Sequence, residues 1–167
     1  MLDGVKIFDL KKFPDERGSF TEIMRTDWKE ILGDEIPVQT NLSISFPNVV
    51  RGWHQHNRGQ IDYFVVTKGT MKICAFDEKT GELNEIIASG EKLHLVRIPG
   101  KYWHGTKTVG IEPSVTIYFV SNMYDYKNPD EGRREWNDHK IVPKSINGKT
   151  NDSRIGKPWD WFAPIHK

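Results

Sequence analysis

Gln39-Thr40-Asn41-Leu42-Ser43-Ile44-Ser45-Phe46 is the stretch on which the fold turns. Asn41, Ser43 and Ser45 alternate with Leu42, Ile44 and Phe46, a period of two that puts the polar set on one face of a strand. In a barrel one face of each strand looks into the lumen. A polar lumen is unusual for a packed core and normal for a ligand cavity. Outward from this stretch, short runs rich in Val, Ile, Thr and aromatics cover 38–46, 61–67, 70–76, 94–98 and 114–121. Turn signals separate them: Asp15-Glu16-Arg17-Gly18, Phe46-Pro47-Asn48, Thr67-Lys68-Gly69, Asp77 to Gly81, Ser89-Gly90 and Pro99-Gly100. Short strands with regular turns predict an all-β sandwich or barrel. The best helix candidate, Thr26 to Leu32, is short. From about residue 127 the chain turns polar, with several tryptophans and four of the nine prolines. That pattern predicts an irregular C-terminal extension packed on the barrel or on a neighbouring subunit, within one domain spanning 1–167.

Composition limits the function classes. The 167 residues carry 24 basic and 23 acidic side chains, interspersed, for a net charge of +1. No global field draws in nucleic acid or an anionic membrane. The lone Cys74 excludes a disulfide within the chain and reads as a core thiol. No segment shows a signal-peptide pattern or the roughly 20 apolar residues that span a bilayer. The expectation is a soluble cytoplasmic protein.

Chemistry concentrates in Val50-Arg51-Gly52-Trp53-His54-Gln55-His56, where two imidazoles at i and i+2 share a strand face beside an arginine. Ile98-Pro99-Gly100-Lys101-Tyr102-Trp103-His104-Gly105 places a third histidine just after a tight turn, and Tyr118 to Tyr124 ends another strand. These residue types suit proton transfer. Such transfer needs a positioned base and a group that stabilises the charge it creates. Imidazole titrates near neutrality, a phenol can return a proton, and arginine grips phosphate through two donors.

Several motifs, in order, resemble those of the dTDP-4-dehydrorhamnose 3,5-epimerase family of the cupin superfamily. Asp15 to Glu22 resembles D-x-R-G-x-F-x-E, Gln39 to Ser45 resembles Q-x-N-x-S-x-S, and Arg51-Gly52-Trp53-His54 is similar to R-G-L-H. Pro99 to Gly105 and the tyrosine pair Tyr118/Tyr124 extend the likeness. The resemblance implies a cupin-like double-stranded β-helix, or jelly roll. It implies a homodimer without a cofactor, acting on a nucleotide-diphosphate 4-keto-6-deoxyhexose. His54 is then the base and Tyr124 the acid. Arg51 and His104 contact pyrophosphate or sugar, and Arg17, Phe20, Glu22, Gln39 and Asn41 hold the nucleotide, some of them across a dimer interface.

Three departures stand out. Gln60-Ile61-Asp62 replaces Q-x-K, so a carboxylate sits where the enolate-stabilising lysine belongs and would repel a developing oxyanion. His56 replaces a glutamine. Asp152 stands at about the right distance beyond Tyr124 to orient the base, in different surroundings. Rival readings follow. A sugar-nucleotide 3,4-ketoisomerase would use both His54 and His56. A metal cupin would hold one divalent transition ion with His54, His56, Asp62 and His104. A non-catalytic module would bind sugar nucleotides only.

Overall fold

The structure is a computed structural model and describes residues 1–163. Thirteen strands and one helical turn follow one another: β1 (Lys6–Asp9), β2 (Lys12–Asp15), β3 (Gly18–Thr21), α1 (Lys29–Leu32), β4 (Gln39–Ser45), β5 (Val50–Gln55) and β6 (Ile61–Lys68). Then come β7 (Thr70–Phe76), β8 (Glu82–Ser89), β9 (His94–Pro99), β10 (Trp103–Val109), β11 (Ser114–Val120), β12 (Gly132–Arg133) and β13 (Ser145–Ile146). One sheet has the order β1-β9-β6-β11-β4, the other β12-β5-β10-β7-β8-β13, and β2-β3 is a separate hairpin. The two sheets face each other as a cupin-like jelly roll. No described helix is long and apolar enough to cross a membrane.

Three apolar layers explain the sequence patterns. Between the sheets, Phe64, Val66, Met71, Ile73, Ala75, Ile86, Val96 and Ile98 fill one end of the barrel. On the outer face of the first sheet, Tyr63, Val65, Leu95 and Phe119 are covered by Ile31 and Leu32 of α1. On the outer face of the second, Trp53, Cys74, Phe76 and Leu83 are covered by Ile141, Ile146, Trp159 and Trp161 from the C-terminal extension. A strand covered on both faces reads as a continuous apolar run rather than an alternation, and β6 is buried from Ile61 to Val66. Only where one face opens on the cavity, as in β4, does the alternation appear.

The extension therefore packs on its own barrel. Trp159 and Trp161 are buried against the second sheet, so of the two packings open from the sequence, barrel or neighbouring subunit, these tryptophans take the first. Each buried tryptophan removes about 150–250 Å² from water, an upper bound of roughly 4–6 kcal/mol. Trp161 reaches this position because β5 and β10 pair through two glycines, Gly52 opposite Gly105. A Cβ on Gly105 would lie 2.8 Å from the Arg51 carbonyl oxygen and 3.2 Å from the Trp161 ring. The glycine that follows His104 thus serves close packing behind the site. The extension is also tied by β12 to β5, antiparallel, and by β13 to β8, parallel.

Candidate active site

The polar end of the barrel is a cavity of about 710 Å³, lined from both sheets. From β4 come Gln39, Asn41, Ser43 and Ser45, the polar set of the alternation. Arg51 and His54 come from β5, His104 and Thr106 from β10, Asp62 from β6, and Tyr118 and Tyr124 from β11 and its continuation. The volume lies in the range of small-molecule sites.

At its back is a buried cluster of His56, Asp62 and His104. The Nε2 atoms of His104 and His56 lie 3.1 and 3.5 Å from the same oxygen, Asp62 Oδ2. Gln60 Nε2 donates to Asp62 Oδ1 at 2.7 Å. The outer nitrogens face backbone: His104 Nδ1 lies 2.9 Å from the Tyr102 carbonyl oxygen, and His56 Nδ1 bonds the Asp130 carbonyl. Burial opposes charge on Asp62, but its bonds to His104 and His56 hold the carboxyl well below the usual carboxylate range. Burial also opposes charge on His56, and the adjacent Asp62 more than offsets it, raising the imidazole's pKa. Asp62 is thus held as an ionised carboxylate, with Oδ2 facing the two imidazoles and Oδ1 accepting from Gln60.

His54 stands apart from this cluster. It pairs across the ladder with His104, and the two rings meet edge to face at 6.2 Å between centroids. Burial, with His104 beside it, lowers the His54 pKa to about 4, so the ring is neutral near pH 7 with a lone pair free to accept a proton. Tyr124 reaches the cavity from the segment that follows β11. Its backbone N–H donates to Gln39 Oε1 at 2.9 Å, and its ring packs edge-on against Tyr126. Arg51 Nε donates to Ser45 Oγ at 2.8 Å, which holds the guanidinium along the cavity wall.

Three nucleotide-binding candidates lie elsewhere in the chain. Arg17, Phe20 and Glu22 stand on or beside the β2–β3 hairpin, where Arg17 bonds Asp15 and Glu22 bonds Arg25, and none lines the cavity. Asp152 is also absent from it. Both its carboxylate oxygens are taken by Arg154, at 2.9 and 2.8 Å, which excludes it as the orienting partner of His54 in this chain. In its place the cavity wall carries Glu131 and Arg133, from a stretch whose polar, unpatterned sequence gave no sign of a strand.

The donor set also bears on a metal ion. One atom from each of His56, Asp62 and His104 lies within 4.8 Å of the others. A metal ion would replace the contacts between the imidazoles and Asp62: with each ring proton on Nδ1, against a carbonyl, the Nε2 lone pairs would be free to ligate it. Three ligands with an open side toward the cavity fit a divalent ion. His54, the fourth residue of the sequence-based set, is outside that group.

Comparison with known proteins matches residues 13–131 to the polysaccharide biosynthesis C-terminal domain model. The chain belongs to that family. It is 39% identical over 137 residues to a probable low-salt glycan biosynthesis epimerase of Haloferax volcanii, covering 79% of this chain and 86% of the relative. It is 34% identical over 146 residues to the spore coat polysaccharide biosynthesis protein SpsL of Bacillus subtilis, covering 84% and 94%. Among solved structures it superposes with a TM-score of 0.75 and 27% identity on a dTDP-6-deoxy-D-glucose-3,5-epimerase from Legionella pneumophila, bound to dTDP-4-keto-L-rhamnose. That match covers 84% of this chain and 78% of the other. This family member is thus a divergent relative of the dTDP-4-dehydrorhamnose 3,5-epimerases.

Proposed function

We propose that the protein is an isomerase, an epimerase of a nucleotide-diphosphate 4-keto-6-deoxyhexose in deoxysugar and polysaccharide biosynthesis. The observation that carries this reading is that His54, on β5 of the second sheet, and Tyr124, in the segment that follows β11 of the first, line one cavity. A sugar ring lying between the sheets presents one face to each. His54 takes the proton beside the ketone, and the electron pair moves into the carbonyl as an enolate. The Arg51 guanidinium, on the wall of the same cavity, supplies donors for that charge. Tyr124 then delivers a proton to the other face, which inverts the carbon. Gln39 and Asn41 line the mouth and supply amide donors for the nucleotide.

The test is incubation with a dTDP-4-keto-6-deoxyhexose in heavy water. Deuterium at C3 and C5 marks double epimerisation, deuterium at C3 alone marks a single inversion or ketoisomerisation, and product NMR separates these two. Absence of exchange despite saturable binding overturns the enzymatic reading. Tyr124→Phe sharpens the test. Epimer formation is expected to fall by about 10²-fold, while exchange into unreacted substrate, which needs only His54, continues. Unchanged epimer formation would remove Tyr124 from its role.

The reaction as written needs no cofactor. A second reading is favoured by the inward Nε2 atoms of His56 and His104, which with Asp62 fit a divalent transition ion. Such an ion supplies a Lewis acid that polarises the sugar carbonyl, the task left open by the missing lysine. Exchange that survives dialysis against a chelator supports the cofactor-free reading. Exchange that is lost and returns with one added divalent cation supports the second.

The active assembly is a homodimer in this proposal. β4 is a sheet edge, and Val38, Leu42, Ile44 and Phe46 stand half to two-thirds exposed along it. An open apolar edge of this kind is a template for association. Arg17 and Phe20, which do not line their own cavity, would reach a partner's. Leu42→Glu with Phe46→Glu is expected to halve the mass measured by sedimentation equilibrium. A variant that sediments as the parent does would exclude this edge.

A further inference from the structure

We propose that Glu131 is the positioning residue for His54, in the place that Asp152 does not fill. This rests on the reading of His54 as the base. Glu131 precedes β12, a two-residue strand whose Gly132 lies opposite Gln55 and whose Arg133 lies opposite His54. The segment is fixed on both sides. Before it, the Asp130 carboxylate accepts the backbone N–H groups of Asn57 and Arg58, each at 2.9 Å. After it, Arg134 exchanges two backbone hydrogen bonds with Trp53, at 3.0 and 3.1 Å. Glu131 is thereby held in the cavity wall with its side chain only 15% exposed, and Oε1 lies 3.7 Å from His54 Nε2. Its other oxygen accepts from Arg133 Nη2 at 2.6 Å.

Among the described residues the cavity wall holds two carboxylates, Asp62 and Glu131. Asp62 is committed to His56, His104 and Gln60, so Glu131 is the one beside His54. When His54 takes the substrate's proton it becomes a cation in a half-buried site. An ionised carboxylate next to it fixes the ring's orientation and stabilises that cation. The contact of 3.7 Å is longer than a hydrogen bond, as catalytic contacts often are before substrate is bound, and tightens when the ring becomes charged. The proton stays on His54 and Glu131 remains ionised, with Arg133 holding it in place.

The test uses the full chain with Glu131→Leu and Glu131→Asp. For Glu131→Leu the kcat of epimer formation is expected to fall about 10- to 100-fold, with KM changed much less because Glu131 acts through His54. Glu131→Asp should recover part of the loss. A readout that does not depend on turnover is the ring tautomer of His54, from ¹⁵N–¹H correlation spectra of the substrate-free protein. The Nε2–H form should dominate in the parent and in Glu131→Asp, and lose ground in Glu131→Leu. An unmoved tautomer, or an unmoved kcat, overturns the proposal. A parent protein without turnover would instead sink the epimerase reading, and the spectra still decide whether Glu131 sets the ring.

Discussion

His54→Ala is expected to slow epimer formation and deuterium exchange together, by about 10³- to 10⁴-fold, the upper part of the range for loss of a general base. Both readouts fall because the proton must leave carbon before either label or inversion can appear. Tyr124→Phe differs in this respect, since it spares the first step. The protein should remain folded. His54 makes no hydrogen bond of ordinary length in the structure; its nearest charged contact is Glu131 at 3.7 Å. The apolar layer behind it is built by Trp53, Phe76, Trp103 and Trp161, so truncating the ring opens space toward the cavity rather than in the core. Melting by circular dichroism checks the fold, and calorimetric titration of the nucleoside diphosphate checks binding. A variant that still exchanges at the parent rate would move the base to the His56–Asp62–His104 cluster.

The distinction between His54 and that cluster could only be half read from the chain. Spacing placed His54 and His56 together, and the turn before His104 hinted at a third imidazole, and all three line one cavity. Spacing does not tell which imidazole has a free lone pair. That depends on Asp62, which draws His56 and His104 to a single oxygen and leaves His54 outside. The alternation in β4 was legible because one face of that strand meets the cavity and the other stands exposed. Glu131 was not legible. A two-residue strand has no period, and its place is set by hydrogen bonds to Trp53, Asn57 and Arg58, about 75 residues earlier in the chain. Asp152 illustrates the opposite error. Its separation along the chain from Tyr124 was suitable, but an arginine two residues on claims both its oxygens. Among the tryptophans, sequence showed that they needed cover and could not show that the same chain supplied it.

The largest expected effect on stability lies on the outer face of the second sheet, where the extension is pinned by charge. Lys72 and Glu85 face each other across β7 and β8, with Nζ to Oε1 at 2.9 Å and both side chains almost fully buried. Arg154 from the extension meets Glu85 through two contacts, at 3.0 and 2.9 Å, and also holds Asp152. Lys72 further donates to the carbonyls of Trp161 and Ala163, at 3.3 and 3.1 Å. Glu85 is thus the anion between two buried or half-buried cations that tie the extension to the barrel. Glu85→Ala leaves Lys72 and Arg154 facing one another without it. Removing one partner of a buried pair destabilises by about 3–5 kcal/mol, because the remaining charge is stranded. For a chain of this length that corresponds to a fall in Tm of roughly 6–20 °C. Arg154 retains Asp152, so the loss falls mainly on Lys72, and Glu85→Gln, which keeps the shape and an acceptor, should lose less. Urea unfolding followed by tryptophan fluorescence checks both, since Trp159 and Trp161 report on the docked extension. The loss should also reach the active site, because Glu131 and Arg133 belong to the same extension: exchange activity should decline at temperatures well below the global transition. A Glu85→Ala protein that melts with the parent would mean that the apolar cover of Ile141, Ile146 and the tryptophans holds the extension without the charges.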